Sequence, residues 1–263
     1  MNYKGGLALI RATWFSWLQH RGFFFILAFL WMIPPLVALF VWMAAAGDGR
    51  IGGLDRGGFA AYYLVLILVN QLTYSQANWT VGDEIRYGGL NVWLQRPIPV
   101  LYSYLSSEIA GKAVYMVFLL PVTALLAVLL RPGLQVRPLD ALLFVPSLLM
   151  AWALRTFWGM ALAELAFWST RADALLVVQD SLVFVFSGLV APVALLPAGL
   201  GRWALLLPFR YMVGFPVEVL TGQLSAAEIG LGLASQAGWL ALALLLARGL
   251  WQRGIRRYTA VGG

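Results

Sequence analysis

The chain has 263 residues, of which 62% are hydrophobic and 11% are charged, and its mean hydropathy is +0.82. Because so few charged residues cannot cover a water-soluble globule of this size, the composition indicates an integral membrane protein. The lack of cysteine excludes disulfides, and with only one histidine, His20, a clustered His/Cys metal site is also excluded. The net charge of +7 is spread over loops, which favours lipid headgroups over nucleic acid as counterions.

Residues 1–22 predict an amphipathic helix that lies in the membrane interface. Apolar side chains recur there at helical spacing: Leu7, Ile10, Trp14, Trp17 and Leu18. Lys4, Arg11 and Gln19 fall elsewhere on the helix, and tryptophan is typical of headgroup depth. The alternative is that this segment prolongs the first membrane span. It lacks the early apolar core and the cleavage site of a removable signal peptide, so we expect it to be retained.

The apolar runs of the chain predict six membrane spans. A hydrocarbon core about 30 Å thick needs about 20 apolar residues in a helix. By this measure the spans lie at about 23–45, 59–81, 113–131, 140–168, 174–196 and 229–248. The runs lack the strict alternation of barrel strands, so we predict an all-α polytopic protein in which residues 1–263 form a single transmembrane domain.

Lysine and arginine predict the orientation of these spans. They are more numerous before the first span, in residues 82–112, around Arg171 and after residue 247 than in the alternate loops. Cytoplasmic loops carry the excess of such residues in membrane proteins. We therefore expect both termini and segment 82–112 to be cytoplasmic.

Segment 197–228 is apolar enough to suggest a seventh span, but Pro208, Arg210 and Pro216 interrupt it. A seventh span would also move the C-terminal arginines to the outside. We therefore predict short helices that dip into or lie on the outer leaflet. Such irregular backbone is tolerated there only where other protein covers it.

Two predicted spans carry stripes of similar side chains at helical spacing. The first is polar and lies on the second span: Gln71, Ser75 and Asn78, with Asn70 and Thr73 beside them. It faces a water-filled substrate path or holds helices together, and the sequence leaves both open. The second is a small-residue stripe on the last span, which predicts close helix packing: Gly230, Ala234 and Gly238.

Three charged residues within the predicted spans are candidates for a role inside the membrane: Arg155, Glu164 and Asp180. An ion-coupled carrier would use such groups directly, and the alternative is hydrogen bonding between helices or snorkelling to the headgroups. Arg155 lies near the middle of the fourth span, where burial of a charge is costly. We therefore count it with the polar stripe as a candidate for the substrate path.

The sequence lacks a phosphate-binding loop, which requires Gly, four residues and then Gly-Lys-Ser/Thr. The only Gly-Lys pair, Gly111-Lys112, is followed by Ala113, and Ser106 stands where the first glycine should be. We expect that the chain binds no ATP and no other cofactor. Since its only adjacent acids in segment 82–112 are Asp83 and Glu84, we also do not expect it to be an enzyme.

Segment 82–112 is polar and lies between two predicted spans. Gly88 and Gly89 allow a sharp turn, and Arg96-Pro97 restricts the chain shortly afterwards. The part from Glu84 to Leu94 then offers four apolar and two charged contacts that suit a groove on a partner protein: Ile85, Leu90, Trp93, Leu94, Glu84 and Arg86. The alternative is an ordinary connecting loop with an aromatic anchor.

The sequence Glu84-Ile85-Arg86-Tyr87-Gly88-Gly89-Leu90, followed by Leu94-Gln95-Arg96-Pro97-Ile98, resembles the membrane subunits of type-2 ATP-binding cassette (ABC) exporters. It is most similar to stand-alone bacterial permeases in which a G-x-L and then an L-x-R-P pattern follows the second span. A second similarity is the proline-punctuated segment before the last span: Ser187-Gly188, Pro192, Pro197, Leu207-Pro208-Phe209, Pro216 and Gly222.

This resemblance implies a permease in a bacterial inner membrane that works with separate cytoplasmic ABC ATPase subunits. ATP and magnesium would be bound by the ATPase, and a second or related permease would complete the pathway. The implied ATPase-coupling residues are Glu84, Ile85, Arg86, Tyr87, Gly88, Gly89, Leu90, Trp93, Leu94, Arg96 and Pro97. The remaining alternative is an ion-coupled secondary transporter that uses Arg155, Glu164 and Asp180.

Overall fold

The structure is a computed structural model that describes residues 3–19, 21–134, 136–169 and 171–259. Within these ranges the chain forms helices and no β-strand, as the all-α prediction requires. Its α-helices are, in chain order, α1 (Tyr3–Gln19), α2 (Arg21–Ala46), α3 (Arg56–Thr73), α4 (Ala77–Arg86), α5 (Leu90–Leu94), α6 (Val100–Leu130), α7 (Pro138–Ala163), α8 (Ala172–Phe186), α9 (Ala198–Leu206), α10 (Phe209–Met212), α11 (Gly214–Leu220) and α12 (Ala226–Gly254).

Five helical stretches in the described ranges are long and apolar enough to cross a membrane: Gly22–Ala46, Arg56–Arg86, Val100–Leu130, Pro138–Phe167 and Ala226–Gly254. They correspond to five of the six predicted spans. Many of their large apolar side chains are exposed, for example Val128 (73%), Leu142 (70%) and Leu245 (70%). Such surfaces are compatible with lipid, and the protein is a multi-pass membrane protein.

The predicted fifth span, 174–196, is wrong in its second half. Helix α8 ends at Phe186, and Gly188 takes a positive φ of 94°, which the helix cannot continue. A short 3₁₀ turn at Val193–Leu195 follows Pro192. The 15 residues of α8 would extend about 22 Å, so the predicted count of six crossings stays a prediction.

Segment 197–228 folds into the short helices α9, α10 and α11. Residues 208–219 are all buried, so the irregular backbone of α10 and α11 is covered by the rest of the chain. Inside this segment Arg210 Nε lies 3.0 Å from Glu218 Oε2. Burial raises the pKa of the Glu218 carboxyl, and the neighbouring guanidinium opposes that shift. Pro208, Arg210 and Pro216 therefore mark a buried, folded insertion.

Helix α3 lies at the centre of the largest core and holds the segment that follows α8. The hydroxyl of Tyr62 donates to the carbonyl of Gly188 at 3.0 Å, and the hydroxyl of Tyr63 donates to the carbonyl of Val190 at 2.9 Å. Trp42 Nε1 of α2 donates to the same carbonyl at 2.9 Å. Backbone groups that leave the helical pattern thus receive side-chain partners.

Helix α1 packs on α6. A side chain at Gly111 of α6 would collide with the ring of Trp17, whose nearest atom would be 2.5 Å away. The Trp17 ring also stacks on Phe24 at 4.4 Å. The placement of residues 1–22 in the membrane interface stays a prediction, and Met1, Asn2 and His20 lie outside the described residues.

Close packing of α12 does not occur along the predicted small-residue stripe. Gly230, Ala234 and Gly238 are exposed, and a Cβ atom at either glycine would meet nothing within 4 Å. The close approach is at Gly232, where a Cβ atom would lie 2.1 Å from Cε2 of the fully buried Phe215 of α11. The α11–α12 contact therefore uses the face of α12 that carries Gly232.

Substitution of alanine at Gly232 and at Gly230 tests this packing. Gly232→Ala should lower the thermal stability of the purified protein by about 1–3 kcal/mol, because the added methyl group must displace the Phe215 ring. Gly230→Ala is the matched control on the same helix. It should be neutral or stabilising by up to about 1 kcal/mol. Equal unfolding temperatures for both variants in one detergent would contradict the close contact.

Candidate functional site

Most of the predicted cytoplasmic loop 82–112 is helical. It contains the end of α4, the short helix α5 and the first part of α6, which begins at Val100 rather than near residue 113. Gly88 has a φ of 80°, so it supplies the left-handed residue of the α4–α5 turn. Pro99 lies at the N-terminus of α6, where its missing N–H costs no hydrogen bond. The segment is therefore a folded unit between α3 and α6.

Glu84 joins the three helices of this unit. Its Oε1 accepts a hydrogen bond of 2.8 Å from Trp93 Nε1 of α5, and its Oε2 accepts one from the hydroxyl of Tyr104 of α6. A Cβ atom at Gly89 would touch the Glu84 side chain at 3.4 Å. Hydrogen bonds to a carboxylate are stronger than neutral ones, so Glu84 fixes α5 relative to α4 and α6.

Ile85 and Leu90 face the interior of the protein, whereas the sequence suggested that they contact a partner protein. Both are buried, with 4% and 0% of their surface exposed, and they pack in a cluster with Val81, Tyr104 and Met160. Their side chains cannot contact a partner in this conformation. They anchor the unit to the membrane bundle instead.

Tyr87 and residues of α5 and its C-terminal turn form one exposed surface of the unit. We call it the α5 face: Tyr87, Val92, Leu94, Gln95, Arg96 and Pro97. Tyr87, Val92 and Leu94 are exposed by 72%, 55% and 44%. The guanidinium of Arg96 lies over the Trp93 ring, 4.2 Å from its centroid, which holds the positive charge at this surface. The α5 face is a rigid, apolar and basic surface at one end of the bundle.

Arg86 lies beside the α5 face and joins α4 to α8. Its Nη2 atom lies 3.3 Å from Oδ1 of Asp173, in the first turn of α8. Its side chain is 19% exposed, so it is only partly available to a partner. Any displacement of α4 must therefore involve the start of α8.

The second predicted span is interrupted where α3 ends at Thr73 and α4 begins at Ala77. We call the polar groups around this interruption the break cluster: Asn70, Thr73, Tyr74, Ser75, Asn78, Glu108, Lys112 and Arg155. Within a membrane the backbone groups freed by a helix break need protein partners. The break cluster supplies them.

Two side chains of α6 cap the two helix ends. Lys112 Nζ donates to the carbonyl of Tyr74 at 2.7 Å, and the backbone N–H of Ala77 donates to Glu108 Oε1 at 2.7 Å. The cation thus lies at the C-terminus of α3 and the anion at the N-terminus of α4, which is the favourable sign at each helix dipole. Lys112 and Glu108 also bond to each other at 2.5 Å, one helical turn apart.

Arg155 of α7 completes the break cluster from the other side. Its Nη1 donates to Asn70 Oδ1 at 2.9 Å, and its guanidinium lies 5.1 Å from the centroid of the Tyr74 ring. It is 4% exposed. A buried arginine with these partners stabilises a helix contact and is not open to a solute.

The predicted substrate-path residues are therefore internal. Asn70, Gln71, Thr73, Ser75 and Asn78 are all buried, with at most 8% of their surface exposed. A Cβ atom at Gly159 of α7 would lie 1.9 Å from Asn78 Nδ2, so the helices are in close contact there. Of the two roles that the sequence left open, this conformation favours helix packing.

The three charges that the sequence placed inside the spans make no direct ion pair with one another. Within the described ranges no ion pair joins any two of Arg155, Glu164 and Asp180. Glu164 is 2% exposed and follows α7 in a short 3₁₀ turn. Asp180 instead lines an open groove of about 390 Å³ between α4 and α8, together with Trp79 and Ser181.

Sequence reasoning missed the capping role of Glu108 and Lys112, because it assigned both to a cytoplasmic loop. Their spacing of four residues is the one available signal, since opposite charges at i and i+4 pair on a helix. The break itself carries no proline or glycine, since residues 74–76 are Tyr, Ser and Gln. Its position was therefore not visible in the sequence.

Comparison with known proteins gives one family. The family model described as ABC-2 family transporter protein matches residues 29–262, which is most of the chain. Searches of curated proteins and of solved structures gave no significant match.

Removal of the Tyr104 hydroxyl tests the role of Glu84. Tyr104→Phe removes a hydrogen bond to a carboxylate, which contributes about 1.5–3 kcal/mol. The amides of Asn91 and Val92, which donate to the carbonyls of Gly88 and Gly89, should then exchange with deuterium at least about tenfold faster. Tyr102→Phe is the control, since the Tyr102 hydroxyl has no hydrogen bond within the described residues. Equal exchange in both variants would refute this role.

A double-mutant cycle tests the caps of the helix break. Glu108→Gln and Lys112→Met should each destabilise the protein by about 3 kcal/mol, since each leaves a buried charge without its partner. The double variant should lose clearly less than the sum. Arg50→Met is the control, because its pair with Asp55 is exposed and should contribute less than about 1 kcal/mol. Additive losses in the cycle would show that Glu108 and Lys112 act independently.

Proposed function

The chain belongs to the ABC-2 transporter family, and on this premise we propose that it couples a transmembrane export path to a separate ATPase through the α5 face. As a member of the family it is a transmembrane subunit of an ABC-type transporter. A transporter of this kind needs ATP hydrolysis, and the chain has no phosphate-binding loop. We assign ATP and magnesium to a cytoplasmic ABC ATPase that docks on this subunit. The α5 face then lies on the cytoplasmic side of a bacterial inner membrane, with both termini.

The observation that carries this proposal is the combination of an exposed face with a fixed support. Val92 and Leu94 offer apolar contacts and Arg96 offers a charge, as helix recognition by a groove requires. Behind them Glu84 holds α5 to α4 and α6. Force applied to the α5 face is therefore transmitted to helices of the bundle and is not lost in a flexible loop.

The helix break gives this force a place to act. In this proposal α4 tilts at residues 74–76 while the large core holds α3, and the hydrogen bonds of Lys112 and Glu108 to the break rearrange with it. The ion pair between Arg86 and Asp173 would carry the start of α8 with α4. A ligand or partner shifts such an equilibrium only if it binds the two states differently, so the ATPase must contact α5 differently before and after ATP binding.

We place the substrate path at the groove between α4 and α8 and not at the polar stripe of α3. The groove of about 390 Å³ is open and carries Asp180 and Ser181 next to the ring of Trp79. A second permease copy that faces it would turn the groove into an enclosed path. Movement of α4 relative to α8 would then change the width of this path during the ATPase cycle.

The ATPase-docking role of the α5 face is tested with Val92→Asp. This change puts a charge on an exposed apolar position and should not alter the fold. An ABC ATPase should co-purify with the wild-type chain. With the variant its occupancy should fall at least about tenfold, because a desolvated charge in an interface costs about 2 kcal/mol or more.

The matched control is Leu134→Asp, which changes a similarly exposed apolar residue in the α6–α7 loop at the opposite end of the bundle. It should leave ATPase occupancy and ATPase activity at the wild-type level. The proposal fails if Val92→Asp retains both at that level in a reconstituted complex. It also fails if proton-driven transport occurs in liposomes that contain the wild-type chain alone.

A further inference from the structure

A cavity of about 630 Å³ lies next to the α5 face, between α6, α7 and α12. This volume is typical of sites for small organic ligands. Its walls are largely apolar and include Phe157, Met160, Leu244 and Trp251. Leu94, Pro99 and Tyr104 close it on the side of α5 and α6. The cavity is therefore in contact both with the membrane helices and with the docking unit.

Two charged side chains of opposite sign line this apolar cavity. They are Glu164, which follows α7, and Arg248 of α12. Neither has an ion-pair partner within the described ranges. Glu164 is 2% exposed, and its Oε2 atom is buried without a hydrogen-bond partner. An apolar site lined by an acid and a base that lack ion-pair partners complements a ligand that is zwitterionic and amphiphilic.

The depth of these two side chains in the membrane restricts the class of ligand further. At 1.5 Å per residue, Arg248 lies about 33 Å from the start of α12, and Glu164 lies about 39 Å from the start of α7. The hydrocarbon core is about 30 Å thick, so both side chains lie at one headgroup layer. Trp251 in the same cavity is a residue typical of that layer. Charges at headgroup depth with an apolar space beside them match the layout of a phospholipid.

We propose that this cavity binds a zwitterionic phospholipid with a primary amine in its headgroup. The phosphate would bind the guanidinium of Arg248, which suits bidentate contact with phosphate oxygens. The ammonium would donate to the Glu164 carboxylate, and an acyl chain would lie on Leu244 and Met160. Because Pro99 and Leu94, at the edge of the α5 face, form one wall, the bound lipid would lie against α5 and link membrane composition to the position of the α5 face.

The test is lipid titration of the purified full-length chain, read by native mass spectrometry. Delipidated protein is titrated with phosphatidylethanolamine, phosphatidylglycerol and phosphatidylcholine of identical acyl chains. Phosphatidylethanolamine should bind the wild-type chain at least about tenfold more tightly than the other two, which lack the ammonium charge or its N–H donors. This binding needs no ATPase, so its result is independent of the coupling role proposed above.

Three variants address the three parts of the site: Glu164→Gln, Arg248→Gln and Leu244→Trp. Each should weaken phosphatidylethanolamine binding by about tenfold or more, since each removes one charge or fills the apolar space. The matched controls are Arg253→Gln and Leu245→Trp on the same helix, which change exposed residues that do not line the cavity. Unfolding temperatures distinguish loss of the site from loss of the fold, and Arg248→Gln and Leu244→Trp suffice if Glu164→Gln is unstable.

Three results would overturn the proposal. The first is equal affinity for the three lipids. The second is binding that the cavity variants change no more than the controls do. The third is binding of dodecylammonium that depends on Glu164 without any binding of phosphatidylethanolamine, which would identify a site for cations alone.

Discussion

A helix that breaks inside a membrane must find new partners for its free backbone groups, and the rest of this fold depends on how that requirement is met. The break between α3 and α4 is closed by Lys112 at one end and Glu108 at the other. Both belong to α6, while Arg155 reaches the same place from α7. The break therefore requires two other helices to hold a fixed arrangement around it. It is stable only as part of the complete bundle.

The break divides the second span into halves with different surroundings. The α3 half is enclosed by the core that contains α10 and α11, and its tyrosines hold the chain after α8. The α4 half lies at the end of the bundle and carries Glu84, which organises α5. A fixed half and a peripheral half on one span are what a coupling element needs. The groove described above borders the peripheral half at Trp79, and the cavity borders α5, which that half supports.

The sequence predicted features that depend on local chemistry and missed those that depend on contacts. Length and hydropathy located five of the spans, and Pro208, Arg210 and Pro216 lie where segment 197–228 divides into short helices. Ser187-Gly188 and Pro192 follow the end of α8 and could have marked it. The apolar run that continues to residue 196 led instead to a longer predicted span. By contrast, the burial of Ile85 and Leu90 comes from the packing of α4 and α5 on α6 and α7. No local pattern distinguishes an apolar side chain that faces a partner from one that faces its own bundle.

The hydrogen bond between Asn70 and Arg155 also has a consequence for biosynthesis. The two residues are 85 positions apart, and Tyr62 is 126 positions from the carbonyl that it contacts. At about 5–20 residues per second, a ribosome takes about 4–17 s to synthesise the chain from Asn70 to Arg155. During that interval the polar groups of α3 have none of these partners. The second span therefore reaches its final packing only after α7 and the segment that follows α8 have been made.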